Sequence, residues 1–269
     1  MSKIDKLSGF VVVTGASSGI GLELAKRAAE DGCHLLLVAD RDLDDAETAA
    51  RAAGAACVET LQADLASPDG LKAVMAALGD RPVAALLANA GQGQGGAFLD
   101  QPWKDIARTI HTNVTGTVWL IQQIGKRMRA RNAGRILVTG SIAGHVPGSF
   151  NLIYNSTKSF IDYFCFGLRE ELRDTEVVVT CVMPGATDTD FFEHANMEDT
   201  RVGQSDSKAD AAKPARDGYE AMLAGRAHIV SGFMNKVQDA FAGIIPDTIL
   251  ARMHRKMAQP ETEKAKAEA

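Results

Sequence analysis

The chain of 269 residues is long enough for one large α/β domain or for two small ones. Hydrophobic residues make up 46% of it and charged residues 23%, ordinary values for a water-soluble globular protein. The net charge of −5 argues against general binding to nucleic acid or to anionic membranes, and no apolar run approaches the ~20 residues of a membrane helix. We therefore expect no nucleic-acid partner and no stable insertion into a membrane.

Short apolar runs alternate with longer helical patterns along the chain, as in repeated βαβ units. Seven runs predict strands at Phe10–Val13, Leu35–Ala39, Cys57–Leu61, Ala84–Ala88, Ile136–Val138, Val177–Met183 and Ile229–Val230. Six patterns predict helices at Ile20–Glu30, Leu43–Ala53, Leu71–Leu78, Trp103–Arg131, Tyr154–Leu172 and Asp210–Leu223. Several runs are nearly continuous in Val, Leu and Ile, which is typical of parallel strands buried on both faces. The sequence thus predicts an α/β fold with a doubly wound parallel sheet of about seven strands and helices on both faces.

No linker rich in Gly, Pro and Ser divides the chain, so residues 1–257 are predicted to form a single domain. The polar, irregular segment at about 190–209 is predicted to be a substrate loop rather than an ordinary surface loop. Residues 232–257 contain amphipathic stretches, for which a cap over the site, a subunit contact and a membrane-surface helix remain open. The cap and the subunit contact are favoured because the basic cluster is small. The charged residues 258–269 are expected to form a flexible tail.

The four cysteines show neither a CxxC pair nor a spacing with histidine that suggests a metal site. They are Cys33, Cys57, Cys165 and Cys181, and each lies in or beside an apolar run. Reduced core thiols are the usual explanation for this placement. The first ten residues also lack an apolar stretch long enough for a signal peptide. We therefore expect a cytoplasmic protein without a bound metal.

A glycine turn follows the first predicted strand directly. The residues Thr14–Gly21 read TGASSGIG, and a helical pattern begins within them. Backbone N–H groups and the positive end of the helix dipole then face the same point, and the glycines let a ligand approach the backbone. The strand and the helix on either side favour a dinucleotide pyrophosphate over an ordinary flexible turn.

A polar or turn residue follows each of six predicted strands. These residues are Gly15, Asp40, Asp64, Asn89, Ser141 and Pro184. The carboxyl ends of parallel strands meet at one edge of a sheet, which is where ligands bind. We therefore expect one binding cleft along that edge.

Asp40 bears on which dinucleotide binds. It stands 19 positions after Gly21, near the offset expected for an acid that bonds the adenosine ribose 2′-hydroxyl. A carboxylate there would repel a 2′-phosphate, which favours NAD. Arg41 argues in the other direction, because a guanidinium beside the ribose can receive that phosphate. NAD is therefore favoured, and NADP remains the alternative.

Tyr154 and Lys158 are one helical turn apart, so their side chains share a face. A nearby ammonium favours the phenolate form of a tyrosine and lowers its pKa from the ordinary value near ~10. Ser141 ends a strand shortly before Tyr154 and can hydrogen-bond a substrate carbonyl oxygen. Asn113 lies in the helix that follows Asn89. This set is typical of proton transfer to or from a substrate oxygen.

These motifs resemble the short-chain dehydrogenase/reductase family, in its single-domain, Rossmann-like form. The matching segments are TGASSGIG at Thr14–Gly21, ADL at Ala63–Leu65, ANAG at Ala88–Gly91, Asn113, Ser141, Tyr154 with Lys158, and PGATDT at Pro184–Thr189. They occur in the family's order over roughly the first 190 residues. Jointly they are specific for the family.

The resemblance implies a role for each matching position. The implied catalytic residues are Asn113, Ser141, Tyr154 and Lys158. The implied cofactor-binding residues are Gly15, Ser17, Ser18, Gly19, Ile20, Gly21, Asp40, Arg41, Asp64, Leu65, Asn89, Ala90, Gly91, Tyr154, Lys158, Pro184, Gly185, Thr187 and Thr189. Tyr154 would be the general acid/base, Lys158 would hold the nicotinamide ribose, and Asn113 would hold a water that links Lys158 to solvent. The activity implied is hydride transfer between a small-molecule secondary alcohol, or its ketone or aldehyde, and NAD or NADP.

Other functions remain open beside this one. A catalytically silent dinucleotide sensor would have no need of a tuned tyrosine, and an NADP-dependent carbonyl reductase differs only in cofactor and direction. Epimerases and dehydratases with this type of fold are usually longer. The family commonly forms dimers or tetramers through the long helices, which implies a homodimer or homotetramer here. His145, Phe191, Phe192 and Met197 can contact substrate, although structural roles explain them equally well.

Overall fold

The computed structural model describes residues 3–188, 195, 197–201, 203–204, 209–232, 235 and 245–260. Its strands are β1 Phe10–Thr14, β2 His34–Ala39, β3 Cys57–Gln62, β4 Val83–Ala88, β5 Gly134–Thr139, β6 Val177–Met183, β7 Thr187–Asp188, β8 Ala209–Asp210 and β9 His228–Val230. Within the described ranges, seven of them form one parallel sheet in the order β3-β2-β1-β4-β5-β6-β9. The predicted sheet is confirmed, and its seven strands are the seven predicted ones.

Helices cover both faces of this sheet. They are α1 Gly19–Glu30, α2 Asp44–Ala52, α3 Pro68–Leu78, α4 Trp103–Ile110, α5 Thr117–Ala130, α6 Leu152–Glu171, α7 Ala212–Leu223 and α8 Asp247–Ala258. Helices α1, α2 and α7 pack on one face, and α3, α5 and α6 pack on the other. At the start of α3 the Ser67 hydroxyl accepts a hydrogen bond from the Gly70 N–H at 3.0 Å, and Pro68 fills the first position.

Alternate residues of each strand enter the two hydrophobic cores. Along β1, Val12 packs against the α3–α5–α6 side, while Val11 and Val13 pack against the α1–α2–α7 side. All three valines are fully buried, which explains why the apolar runs are continuous rather than alternating.

The order of the strands fixes where a ligand can bind. The chain builds outward from β1 to β3 on one side, then crosses to β4 and builds outward the other way. The loops after β1 and β4 therefore diverge, and a crevice opens between them at the carboxyl edge of the sheet.

The six predicted helices begin within three residues of the predicted positions, and two differences from the prediction have a clear structural cause. The predicted helix Trp103–Arg131 is interrupted by a π-helical turn, His111–Gly116, between α4 and α5. The wide turn lets the Asn113 side chain reach Gln92 and Thr157. The predicted start at Asp210 was wrong, because Asp210 belongs to β8, which pairs with β7, and its carboxylate accepts from the Ala212 N–H at 2.9 Å. This local turn delays the helix until Ala212.

Some predictions fall wholly or partly outside the described residues. They include Thr189, the aromatic residues Phe191 and Phe192, most of the segment 190–209, residues 236–244 and the tail from 261 onward. The four cysteines all lie within the described ranges and are free. Among the helices described, none is both long and apolar enough to cross a membrane.

Helix α6 approaches the end of β5 closely because two glycines leave room for a buried carboxylate. A Cβ added to Gly140 would overlap the Asp162 Oδ1 atom, and one added to Gly144 would lie 2.6 Å from Asp162 Oδ2. Asp162 is completely buried on α6, two turns after Tyr154. These glycines therefore determine how α6 presents its side chains to the strand edge.

Gly140→Ala should lower the free energy of unfolding by about 1–3 kcal/mol, because the new methyl group forces α6 and β5 apart. Chemical denaturation measures this change. Gly167→Ala, also on α6, is the matched control: no atom lies within 4 Å of the added Cβ, and helix propensity should stabilise the protein by ~0.5–1 kcal/mol. Equal stability of the two variants would contradict the close approach.

Candidate active site

The glycine turn after β1 is shaped to receive an anion. Gly15 has a φ of 63°, and a Cβ there would lie 2.8 Å from the Ala90 Cα. A Cβ on Gly21 would overlap the Gly15 carbonyl oxygen, so glycine is needed for α1 to start against the turn. The Ser18 side chain makes no capping hydrogen bond, which leaves the first N–H groups of α1 to a ligand. The turn therefore fits the pyrophosphate of a dinucleotide.

The segment after β4 joins three strand ends. The Thr14 hydroxyl accepts hydrogen bonds from the N–H groups of Asn89 and Ala90, both at 3.1 Å. Asn89 donates to the Gly15 carbonyl at 3.3 Å and accepts from the Thr139 hydroxyl at 3.0 Å. Asn89 therefore fixes the glycine turn relative to β4 and β5, the strands that lead to the catalytic candidates.

Two acids and one arginine lie on the side of the turn where the adenosine is expected. Asp40 follows β2 and Asp64 follows β3, and Arg108 of α4 forms an ion pair with each of them. The Arg108 side chain also donates to the Gln92 side-chain oxygen at 3.2 Å. Sequence reasoning did not find Arg108, because an arginine near the end of a helix carries no signal of its partners elsewhere in the chain.

One cavity of about 1190 Å³ connects the glycine turn to Tyr154. The predicted cofactor positions that line it are Gly15, Ser17, Ser18, Gly19, Ile20, Asp40, Arg41, Asp64, Leu65, Asn89, Ala90, Gly91, Tyr154, Lys158, Pro184, Gly185 and Thr187. Gly21 does not line it and acts as a spacer behind the turn. Asn113 is buried behind the wall and hydrogen-bonds the backbone of Gln92 and the Thr157 hydroxyl.

Ser141, Tyr154 and Lys158 converge at the end of the cavity away from the glycine turn. Ser141 and Tyr154 form a side-chain hydrogen bond, and the Ser141 hydroxyl also accepts from the Ala143 N–H at 3.1 Å. The Lys158 Nζ atom donates to the Thr139 carbonyl at 2.7 Å and lies 5.7 Å from the centre of the Tyr154 ring. The three predicted residues are therefore neighbours.

Burial dominates the ionisation of this group. It raises the pKa of Tyr154 to about 12, against the opposing effect of the Ser141 hydrogen bond. Burial lowers the pKa of Lys158, and the negative charge of Asp162 opposes that change. The expected lowering of the Tyr154 pKa is thus not present in the protein alone.

Asp162 is a second residue that sequence reasoning missed. Burial raises its pKa to about 6, while hydrogen bonding from Cys181 and the charge of Lys158 act in the opposite direction. The Nε2 atom of His145 lies 3.7 Å from the buried carboxylate, so His145 has a structural role beneath the Ser141 turn. One sequence signal could have indicated Asp162. It is a charged residue one helical turn after Lys158, on a helix face that is otherwise mostly apolar.

Helix α8 contributes two side chains to the lining of the cavity. His254 and Met257 line it, together with Met197 and Asn151. The Nδ1 atom of His254 lies 2.9 Å from the Ser149 carbonyl oxygen, and its Nε2 atom lies 3.4 Å from the Asn155 amide nitrogen. Burial lowers the pKa of His254, and the hydrogen bond with the Ser149 backbone acts in the opposite direction.

Known proteins are similar to this chain in sequence and in fold. A family model described as short chain dehydrogenase matches residues 9–200. Sulfoacetaldehyde reductase 2 of Chromohalobacter salexigens is 32% identical over 193 residues, which cover 69% of this chain and 75% of that protein. Human 17-beta-hydroxysteroid dehydrogenase type 1 is 34% identical over 191 residues, which cover 68% of this chain but 58% of the relative. A short-chain dehydrogenase from Sphingobium yanoikuyae, solved in complex with NADPH, has a TM-score of 0.76 at 29% identity, covering 88% of this chain and 94% of that one.

The matched region includes every element that builds the cavity from the glycine turn to Lys158. Its relatives are named as dehydrogenases and reductases, and the solved neighbour carries a nicotinamide dinucleotide. The chain therefore belongs to the short-chain dehydrogenase/reductase family and is an NAD(P)-dependent oxidoreductase acting on alcohols and carbonyl compounds.

Proposed function

We propose that this chain interconverts a secondary alcohol and its ketone or aldehyde, with Tyr154 as general acid/base and NAD favoured over NADP. One observation carries the proposal: Tyr154, Ser141 and Lys158 meet at one end of a cavity whose other end is the glycine turn. A substrate beside Tyr154 and a dinucleotide anchored at Gly15 would then share that cavity. The nicotinamide ring of the bound cofactor supplies the hydride acceptor or donor.

Each residue at the reacting end has a defined task. The Ser141 hydroxyl orients the substrate oxygen next to Tyr154. Tyr154 takes the hydroxyl proton during oxidation and returns it during reduction. Lys158, held by the Thr139 carbonyl, keeps a positive charge near the phenol and favours its ionised form.

Asn113 is buried close to Lys158. A Cβ on Gly91 would lie 3.4 Å from the Lys158 Nζ atom and 3.6 Å from the Asn113 Oδ1 atom. Gly91 therefore lies close to both Lys158 and Asn113, and the Asn113 amide oxygen accepts a hydrogen bond from the Gln92 N–H at 2.7 Å. This spacing supports a proton relay that passes from Tyr154 through Lys158 to a water held by Asn113.

The NAD preference rests on Asp40, whose half-exposed carboxylate lines the adenosine part of the cavity. Its negative charge disfavours a 2′-phosphate and suits a 2′-hydroxyl.

The remaining segments complete the proposal. Residues 1–257 form one catalytic domain, in which α8 caps the substrate end and the segment 190–209 covers the substrate. The enzyme works in the cytoplasm, in keeping with its free cysteines. Two copies associate through α4 and α6, which contact each other and carry exposed aromatic side chains, so the assembly is a homodimer or homotetramer.

Tyr154→Phe should reduce turnover of the best substrate from a panel of secondary alcohols by roughly 10²–10⁴-fold, because the proton donor and acceptor is lost. Binding of NAD⁺, followed by fluorescence titration, should stay near the wild-type value. Tyr163→Phe is the matched control on the same helix, because it removes only the hydroxyl of a 72% exposed side chain that does not line the cavity, and it should leave turnover unchanged. Near-normal turnover of the Tyr154 variant would refute the mechanism. No wild-type turnover across the whole panel, despite cofactor binding, would favour a sensor.

The rate of alcohol oxidation should rise with pH, because oxidation needs the phenolate of Tyr154 and burial holds the pKa of this residue high, at about 12. The phenolate population grows as pH increases toward that value. Carbonyl reduction needs the protonated phenol and should not rise with pH. The measurement is kcat/KM in both directions at saturating cofactor. Lys158→Met should move the rising limb to higher pH, and an unchanged limb would exclude electrostatic assistance from Lys158.

The double variant Trp103→Ser, Tyr163→Ser should dissociate the assembly into monomers, because each of these side chains is 72% exposed on α4 and α6. Size-exclusion chromatography with light scattering reports the mass. Ile249→Ser with Met253→Ser is the control on exposed positions of α8, and it should leave the mass unchanged if α8 is a cap. Dissociation by the α8 variant alone would identify α8 as the subunit contact.

A further inference from the structure

We propose that Arg108 determines how strictly the enzyme discriminates between NAD(H) and NADP(H), by neutralising the acid that would exclude a 2′-phosphate. The proposal rests on the function proposed above and assigns Arg108 to its adenosine subsite. It predicts an enzyme whose preference for NAD is modest and becomes strict when this one cation is removed.

The guanidinium of Arg108 spans the adenosine part of the cavity. Its Nη2 atom lies 3.0 Å from Asp40 Oδ2, and its Nη1 atom lies 2.7 Å from Asp64 Oδ2. Its Nε atom donates to the Gln92 side chain. The three acceptors follow three different strands, β2, β3 and β4, so Arg108 is fixed across the strand edge although it comes from α4. All four residues line the cavity.

Asp40 is consequently paired on both of its oxygens. Arg108 contacts Oδ2, and the Nε atom of Arg41 lies 3.3 Å from Oδ1. With Asp64 included, two carboxylates face two guanidinium groups, so the formal charge of this cluster is zero. An acid in such a cluster repels a phosphate far less than an isolated carboxylate does.

The geometry of Arg108 also suits a phosphate directly. A guanidinium carries five N–H donors in a planar fork, and three of them serve the bonds described above. The fork matches phosphate geometry, and charge-assisted bonds of this type are stronger than neutral ones. Arg108 is therefore a well-anchored cation in the adenosine part of the cavity.

Arg108 is expected to favour NADP⁺ binding but to weaken the binding of NAD⁺. A ribose 2′-hydroxyl must share the Asp40 carboxylate with Arg108, which occupies Oδ2. Removing Arg108 frees this oxygen for the hydroxyl. The same substitution thus weakens NADP⁺ and leaves NAD⁺ equal or tighter, a pattern that general damage to the pocket does not produce.

The test measures dissociation constants of NAD⁺ and NADP⁺ by isothermal titration calorimetry, for the wild type, Arg108→Gln and Arg108→Lys. Arg108→Gln should raise the ratio of the NADP⁺ constant to the NAD⁺ constant by roughly tenfold, because the charge is lost. Arg108→Lys retains the charge and should keep most of the NADP⁺ binding. Lys104→Ala is the matched control, an exposed cation on the same helix, and should leave the ratio unchanged.

Each other outcome has a distinct meaning. Equal weakening of both cofactors in Arg108→Gln, with an unchanged ratio, overturns the proposal and gives Arg108 a purely structural role. A ratio that changes as much in Lys104→Ala overturns it in favour of a long-range charge effect. Failure of the wild type to bind either dinucleotide refutes the proposed function and this inference together. Because binding alone is measured, the assignment of Tyr154 does not affect the result.

Discussion

β1 pairs in parallel with β4, with Thr14 opposite Ala88, although two complete strand–helix units separate them in the chain. The pairing places the glycine turn beside Asn89 and Ala90, whose N–H groups share the Thr14 hydroxyl. β5 then adds to β4 and carries Ser141 to the same edge. The distance from the glycine turn to Ser141 is therefore determined by two strand pairings, β1 with β4 and β4 with β5. A rigid sheet can hold such a distance, and a loop cannot.

A buried pair of opposite charges lies beside the proposed catalytic residues. Lys158 and Asp162 are both buried on one face of α6, and each opposes the effect of burial on the other. Gly140 and Gly144 leave room for the carboxylate beneath the Ser141 turn. A buried charge without a partner costs several kcal/mol, so the Asp162 carboxylate and the Thr139 carbonyl both offset the burial of Lys158. The same buried residues therefore contribute to the stability of the fold and to the proposed chemistry.

Much of this fold and site could be predicted from the sequence, because its signals are local. Strands buried on both faces appear as continuous apolar runs, and residues such as Asp40 and Ser141 mark their ends. The glycine turn and the Tyr154–Lys158 spacing are also contained in short segments. The π turn at Asn113 was not predictable, because an extra residue in one turn barely changes a helical pattern.

The remaining features depend on pairing across the chain. Arg108 meets Asp40 and Asp64 only after three strands and a helix have packed, and nothing near Arg108 indicates these partners. Asp162 became interpretable through Gly140 and His145, which come from a neighbouring strand end. The helix predicted to begin at Asp210 begins two residues later for a local reason. The Asp210 carboxylate accepts a hydrogen bond from the Ala212 N–H, and this turn replaces the first turn of the predicted helix.

The π turn has one more consequence, which concerns helical phase. In a regular α-helix, residues five apart point roughly 140° away from each other. The i→i+5 hydrogen bonding of a π turn brings such residues back toward the same side. Arg108 and Asn113 are five apart, and both hydrogen-bond to Gln92. The residue that pairs with Asp40 and the residue near Lys158 therefore bond to one loop residue, Gln92, the first through its side chain and the second through its backbone.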